Sequence, residues 1–248
     1  MAGGHVSRRG ILTASLFGGA TLLASTALAQ APFRGIPWIP GTTPAPRPYP
    51  GARFLTSAER RALDALVARL IPADDLGPGA REAGVVDFID SQLAGAFGRG
   101  ERWYMRGPFA EGLKTQGYQS EHAPAGLYRA ALGALDAHCR DNFDGRDFAG
   151  LTEEEQDTLI GRMEEDELDL ADISGATFFE MLHDNTVEGF FSDPIYGGNR
   201  DMVGWRLVGF PGVRYDYRDY LDHNGAAIRI EPVGLKGRAA WNPTGNVD

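Results

Sequence analysis

"TSAERRALDALVARLIP", residues 56–72, decides the fold. Thr56-Ser57-Ala58-Glu59 has the form of a capping box, in which the threonine hydroxyl and the glutamate carboxylate each satisfy a backbone N–H at a helix start. Leu63, Leu66, Val67, Leu70 and Ile71 then recur at the three- and four-residue spacing of a single helix face. Pro72 lacks a donor and ends the run.

The same logic extends down the chain. After the turn-rich "PADDLGPGARE", Val85, Ile89, Leu93 and Phe97 fall every four residues and mark a second helix, and a third is expected from Trp103 to Leu113. Residues 124–143 form a further amphipathic helix. "GLTEEEQDTLIGRME", residues 150–164, repeats the capping pattern with Thr152 and Glu155 ahead of Leu159, Ile160 and Met163, and its leading acids suit the positive end of the helix dipole. Ser174 opens the last long helix, which carries Phe178, Phe179, Leu182 and Val187. The one short strand candidate is "AAIRIEP", residues 226–232. The expected class is therefore mainly α, a single compact helical domain over residues 54–248 with a long irregular segment, rich in glycine and aromatic residues, after the last helix, whose tail runs from Arg214 to Asp248.

Upstream of the first helix the character changes. Residues 30–53 read "QAPFRGIPWIPGTTPAPRPYPGAR", with prolines too close together for a helix or a central strand. Phe33, Ile36, Trp38, Ile39 and Tyr49 are more aromatic and apolar than a solvated linker needs. The segment reads as an extended arm lying along a surface, its own or a partner's. Residues 1–29 have the form of an export signal: Ser7-Arg8-Arg9 is a twin-arginine start, a weakly apolar stretch follows, and Ala27-Leu28-Ala29 offers a small-residue cleavage site. That stretch is shorter than the roughly 18 residues needed to cross a bilayer. The expected mature chain is periplasmic, exported already folded by the twin-arginine machinery.

Charge and cysteine content narrow the functions. Without Arg8 and Arg9, 22 basic residues face 34 acidic ones, a formal charge of −12 that disfavours nucleic acid as a partner. The one cysteine, Cys139, cannot form an internal disulfide or a thiolate metal site. It aligns with Tyr128, Leu132 and Leu135 on one helix face, which makes it a small core residue, with pairing to another chain as the alternative reading.

Motifs for chemistry are sparse. Glu180-Met-Leu-His183 has the Glu-x-x-His spacing of di-iron helices but no second copy. His183, Asp184 and Glu188, with Asp193 beyond them, form the remaining metal or acid–base candidate. "DNFDGRD", residues 141–147, places Phe143 where a calcium loop needs an oxygen ligand. No dinucleotide fingerprint, nucleophile elbow, haem attachment or iron–sulfur series is present in the sequence.

"FFEMLHDNTVEGFFSDPIYGGNRDMVGWRLVGFPG", residues 178–212, taken with "LIPADDLGPGAREAGVVDFID", residues 70–90, resembles the gluconate 2-dehydrogenase subunit 3 family. This is the small, or gamma, subunit of membrane-bound FAD-dependent sugar and polyol dehydrogenases. The resemblance runs from about Leu55 to about Tyr217. Its most specific part is Asp193-Pro194-Ile195-Tyr196-Gly197-Gly198-Asn199 with Trp205 and Gly209-Phe210-Pro211-Gly212.

The resemblance implies a non-catalytic subunit with no cofactor of its own. Its partners would be a large subunit that holds FAD, with an iron–sulfur cluster as a further expectation, and a multihaem cytochrome c subunit that passes electrons to quinone. The small subunit would stabilise the flavoprotein and supply its export signal, so that the complex sits at the periplasmic membrane face. Phe190, Phe191, Tyr196, Trp205 and Phe210 in the signature, with Trp38 in the arm, offer aromatic area of the kind that dominates interface cores, and with Asp193, Pro194, Gly197, Gly198 and Asn199 they form the expected partner interface, with self-packing of the core as the alternative. The resemblance also implies, for Cys139, a disulfide to the flavoprotein as an alternative to core burial. A stand-alone periplasmic enzyme built around His183, Asp184 and Glu188 is the competing expectation.

Overall fold

The computed structural model describes residues 54–235 apart from 111, 215–216 and 227–229. Arg8, Arg9, Ala27 and Ala29 of the leader, Trp38 and the rest of the proline-rich arm, and Tyr215 and Trp241 of the tail lie outside the described residues.

Six α-helices occur among the described residues: α1 (Ser57–Leu70), α2 (Val85–Leu93), α3 (Pro124–Asn142), α4 (Glu153–Glu164), α5 (Gly175–Phe191) and α6 (Val203–Val208). Both capping boxes form. Thr56 Oγ1 accepts from the Glu59 N–H at 3.3 Å while Glu59 Oε2 accepts from the Thr56 N–H at 2.7 Å. Thr152 and Glu155 do the same at 3.3 and 2.8 Å. The apolar face of α1 is buried at Leu63, Leu66 and Val67, and its ladder closes at Ile71, one residue before Pro72. Ser174 caps α5 by accepting from the Thr177 N–H at 3.2 Å.

Helix α5 is the centre of the molecule, packed against α1, α2, α3, α4 and α6. Its buried side chains are Phe178, Met181, Leu182, Asn185, Thr186 and Phe190, so the buried face includes two polar residues that an apolar stripe does not predict. Each is satisfied: Asn185 donates to the Tyr128 hydroxyl at 2.9 Å and Thr186 donates to the Leu182 carbonyl at 2.7 Å. Phe178 meets the Tyr128 ring edge-on at 5.5 Å.

Two expectations need correction. No helix covers Trp103 to Leu113; the described residues of 94–123 are irregular apart from a short turn at Lys114–Gln116. Gly107-Pro108 falls in the middle of that stretch, where proline removes a donor and disfavours the helical conformation of the residue before it. Helix α2 ends at Leu93, not at Phe97, because the chain turns back through Gly98, whose backbone lies against the Leu93 carbonyl with no room for a Cβ. The central residues of "AAIRIEP", 227–229, lie outside the described residues; close by, an isolated parallel bridge pairs Gly212 with Val233.

Candidate functional site

The signature begins where α5 ends. Asp193 accepts from the Ile195 N–H at 3.0 Å through Oδ1 and caps a short helical turn, Pro194–Tyr196. Its Oδ2 accepts from the Leu235 N–H at 2.7 Å, tying the C-terminal segment to the same point. Beyond that turn, Gly198 and Gly204 pack so closely on the Gly189 and Phe190 carbonyls that any Cβ would overlap them. Asn199, fully buried, bridges the two limbs: its amide donates to the Ser192 carbonyl at 2.7 Å and its Oδ1 accepts from the Gly204 N–H at 2.8 Å. Trp205 is buried and donates from Nε1 to the Phe191 carbonyl at 2.7 Å. Val213 donates to the Val233 carbonyl at 2.8 Å, which extends the brace to the tail.

The two sequence motifs form one structural unit. The Arg200 N–H donates to the Ala83 carbonyl at 3.0 Å, and the Arg200 guanidinium pairs with Asp87 on α2. Asp87, only 3% exposed, also pairs with Arg60 on α1. A single buried carboxylate thus joins α1, α2 and the signature loop, and its two arginines supply the compensation that a buried charge requires. Sequence reasoning missed Arg60, Asp87 and Arg200. The detectable signal was "VVDFID": six consecutive residues of α2 are buried, so acids in that run need partners. The second acid, Asp90, is fully buried and accepts the Phe54 and Leu55 N–H groups at 2.8 and 2.9 Å.

This brace sorts the signature side chains. Phe190, Asp193, Gly198, Asn199 and Trp205, all expected at a partner interface, are buried within the chain's own fold. Phe191, Pro194 and Gly197 are half-buried. Ile195, Tyr196 and Phe210 are held outwards, the last two 53% and 45% exposed. Phe210 still rests edge-on against Trp205 at 5.2 Å. The α6 turn within this stretch was read as irregular backbone; the close-packed Gly204 and the buried Val203 and Trp205 stabilise a helix too short for a periodic signal.

Cys139 is fully buried in α3, on the core face that also carries Leu135. Burial first, and then Asp136 and Asp147, push its thiol up to about 11.

His183, Asp184 and Glu188 do not converge on one point. His183 stacks on Phe179 with ring centres 6.0 Å apart and lies 3.3 Å from Asp184 Oδ1, while Glu188 is exposed and its carboxyl is raised by partial burial and by Asp184. Among the described residues one histidine–carboxylate group, Glu121, His122 and Asp172, brings its ligand atoms within 4.8 Å of one another. It sits at the surface, where His122 Nε2 lies 3.3 Å from Asp172 Oδ2. At "DNFDGRD", Asp147 Oδ1 accepts from the Gly150 N–H at 2.9 Å, so the segment is a helix-connecting turn.

Fold and site together define an all-helical domain whose central helix feeds a braced glycine-rich loop. The family model for gluconate 2-dehydrogenase subunit 3 matches residues 57–212, which runs from the first helix to the end of that loop. The chain belongs to the gluconate 2-dehydrogenase subunit 3 family. No curated protein and no solved structure matches it.

Proposed function

We propose that this chain is the non-catalytic small subunit of a periplasmic FAD-dependent sugar or polyol dehydrogenase, and that it binds the flavoprotein subunit, stabilises it and directs its twin-arginine export. Family membership supports the association with a dehydrogenase complex. The observation that carries the binding role is the division of the signature: a buried scaffold of Asp193, Asn199, Gly204 and Trp205 holds Ile195, Tyr196 and Phe210 out to solvent. A loop maintained only for self-packing would turn those apolar groups inward. Exposed aromatic anchors on a rigid backbone bind at low entropic cost. The sequence "SRRG" at residues 7–10 supports the export role. FAD and haem c belong, in this reading, to the partner subunits, and substrate choice belongs to the flavoprotein.

Co-expression with a flavoprotein subunit of such a dehydrogenase tests the proposal. Tyr196→Ala with Phe210→Ala is expected to weaken the complex about a hundredfold while leaving the melting of the isolated chain unchanged. Arg8→Lys with Arg9→Lys is expected to leave flavin and dye-linked dehydrogenase activity in the cytoplasm. Export of active flavoprotein without this chain overturns the escort role, and undiminished binding by the double alanine variant overturns the docking site.

A further inference from the structure

The irregular connection between α2 and α3 contains an open groove of about 530 Å³, lined by Trp103, Tyr104, Met105, Phe109 and Tyr118 together with Arg106. Its base is fixed. Trp103 packs against Phe97 at 5.7 Å and Tyr118 at 5.0 Å, and the Tyr118 hydroxyl donates to the His122 carbonyl at 2.7 Å. Its rim is open to solvent, with Tyr104 83% and Phe109 42% exposed. Aromatic faces set among the polar groups of Arg106, Gln116, Gln119 and Ser120 are a surface chemistry that recognises proline-rich extended chain, because flat rings accept pyrrolidine rings and the segment is already ordered before it binds.

We propose that residues 30–53 of this same chain lie in that groove. Seven prolines fall in the segment, at positions 32, 37, 40, 44, 46, 48 and 50, interleaved with Phe33, Trp38 and Tyr49. The described chain starts beside the two helices that flank the groove segment: the Phe54 N–H is held by Asp90 in the last turn of α2, and the Phe54 ring lies 4.2 Å under the Arg129 guanidinium in the second turn of α3. These are the two helices that residues 94–123 connect. At 1.5 Å per helical residue, Asp90 and Arg129 lie within about 5–8 Å, along their axes, of the points where the groove segment leaves and rejoins the bundle. Twenty-four residues of extended proline-rich chain reach about 70 Å, so length is no obstacle.

Charge agrees. Residues 30–53 carry Arg34, Arg47 and Arg53 and no acid, while residues 54–248 carry 19 basic against 34 acidic residues, so an arm of +3 meets a body of −15. Tethering in cis gives an effective concentration on the order of millimolar, enough to keep even a weak groove filled. The inference does not depend on the flavoprotein, and it assigns Trp38 to the chain's own surface.

The test uses the exported chain, alone and in complex with the flavoprotein, with p-benzoylphenylalanine in place of Tyr104. Irradiation is expected to give monomeric product whose cross-linked peptides map to residues 30–53. Cross-links found only in a dimer, only to the flavoprotein, or nowhere in residues 30–53 overturn the proposal. A second measurement guards against a cross-linker that perturbs the groove. Tyr104→Ser with Phe109→Ser is expected to speed tryptic cleavage after Arg34 about tenfold, with an unchanged thermal melt. An unchanged cleavage rate overturns the proposal as well.

Discussion

Cys139 shows how far a single residue can be read from its neighbours in sequence. Its four-, three- and four-residue spacing with Tyr128, Leu132 and Leu135 placed it on a core face, and the structure buries all four. Asp87 shows the limit. Hydropathy registers it as polar, yet it is buried, and its partners lie 27 and 113 positions away, beyond any local pattern. The state of Cys139 is open to direct measurement. A thiol that is buried and raised to about 11 has little thiolate at pH 8, so iodoacetamide is expected to label it at least ~100-fold faster in denaturant than in the native chain. Fast native labelling would show that α3 opens, and would restore the disulfide to the flavoprotein as the better reading of this residue.

Elements were legible where capping and period agreed, as in α1, α4 and α5, each with a side-chain cap at the expected residue. They were illegible where backbone packing decided the outcome. The stretch 103–113 has enough apolar residues to suggest a helix, but Gly107-Pro108 breaks the ladder, and the aromatic side chains line a groove instead. The signature loop carries no period, because carbonyl contacts at Gly198 and Gly204 and a buried ion triad hold it in place. Joining and capping should differ in measured cost. Asp87→Ala leaves Arg60 and Arg200 without their shared carboxylate and is expected to cost about 3–5 kcal/mol in urea unfolding. Thr152→Ala, which removes one cap at the start of α4, is expected to cost about 1 kcal/mol. Equal costs would mean that α2 and the loop are held by apolar packing alone.

At the scale of the whole molecule, carboxylates clamp the helices together, and their titration fixes where stability is lost. Asp147 is held below its usual value by the Arg61 guanidinium of α1, Glu155 by Arg146, and Asp166 by the Ser174 hydroxyl and the Ala176 N–H at the start of α5. Each is depressed in the fold, so the unfolded chain takes up its proton first as the pH falls. Their contribution is complete above the usual values of 4.5 for the glutamate and 3.8 for the aspartates, and is lost as the pH drops below those values. His138 adds an earlier step. Burial, reinforced by Arg162, lowers it from 6.5, so the unfolded state again binds the proton first and stability starts to decline as the pH falls through 6.5. Urea midpoints measured from pH 8 to 3 should therefore show a shallow fall beginning near 6.5 and a steeper one below 4.5. His138→Gln should remove the first fall and leave the second. A midpoint that stays level down to pH 3 would mean that these ion pairs and caps do not hold the bundle, leaving apolar packing around α5 as its only cement.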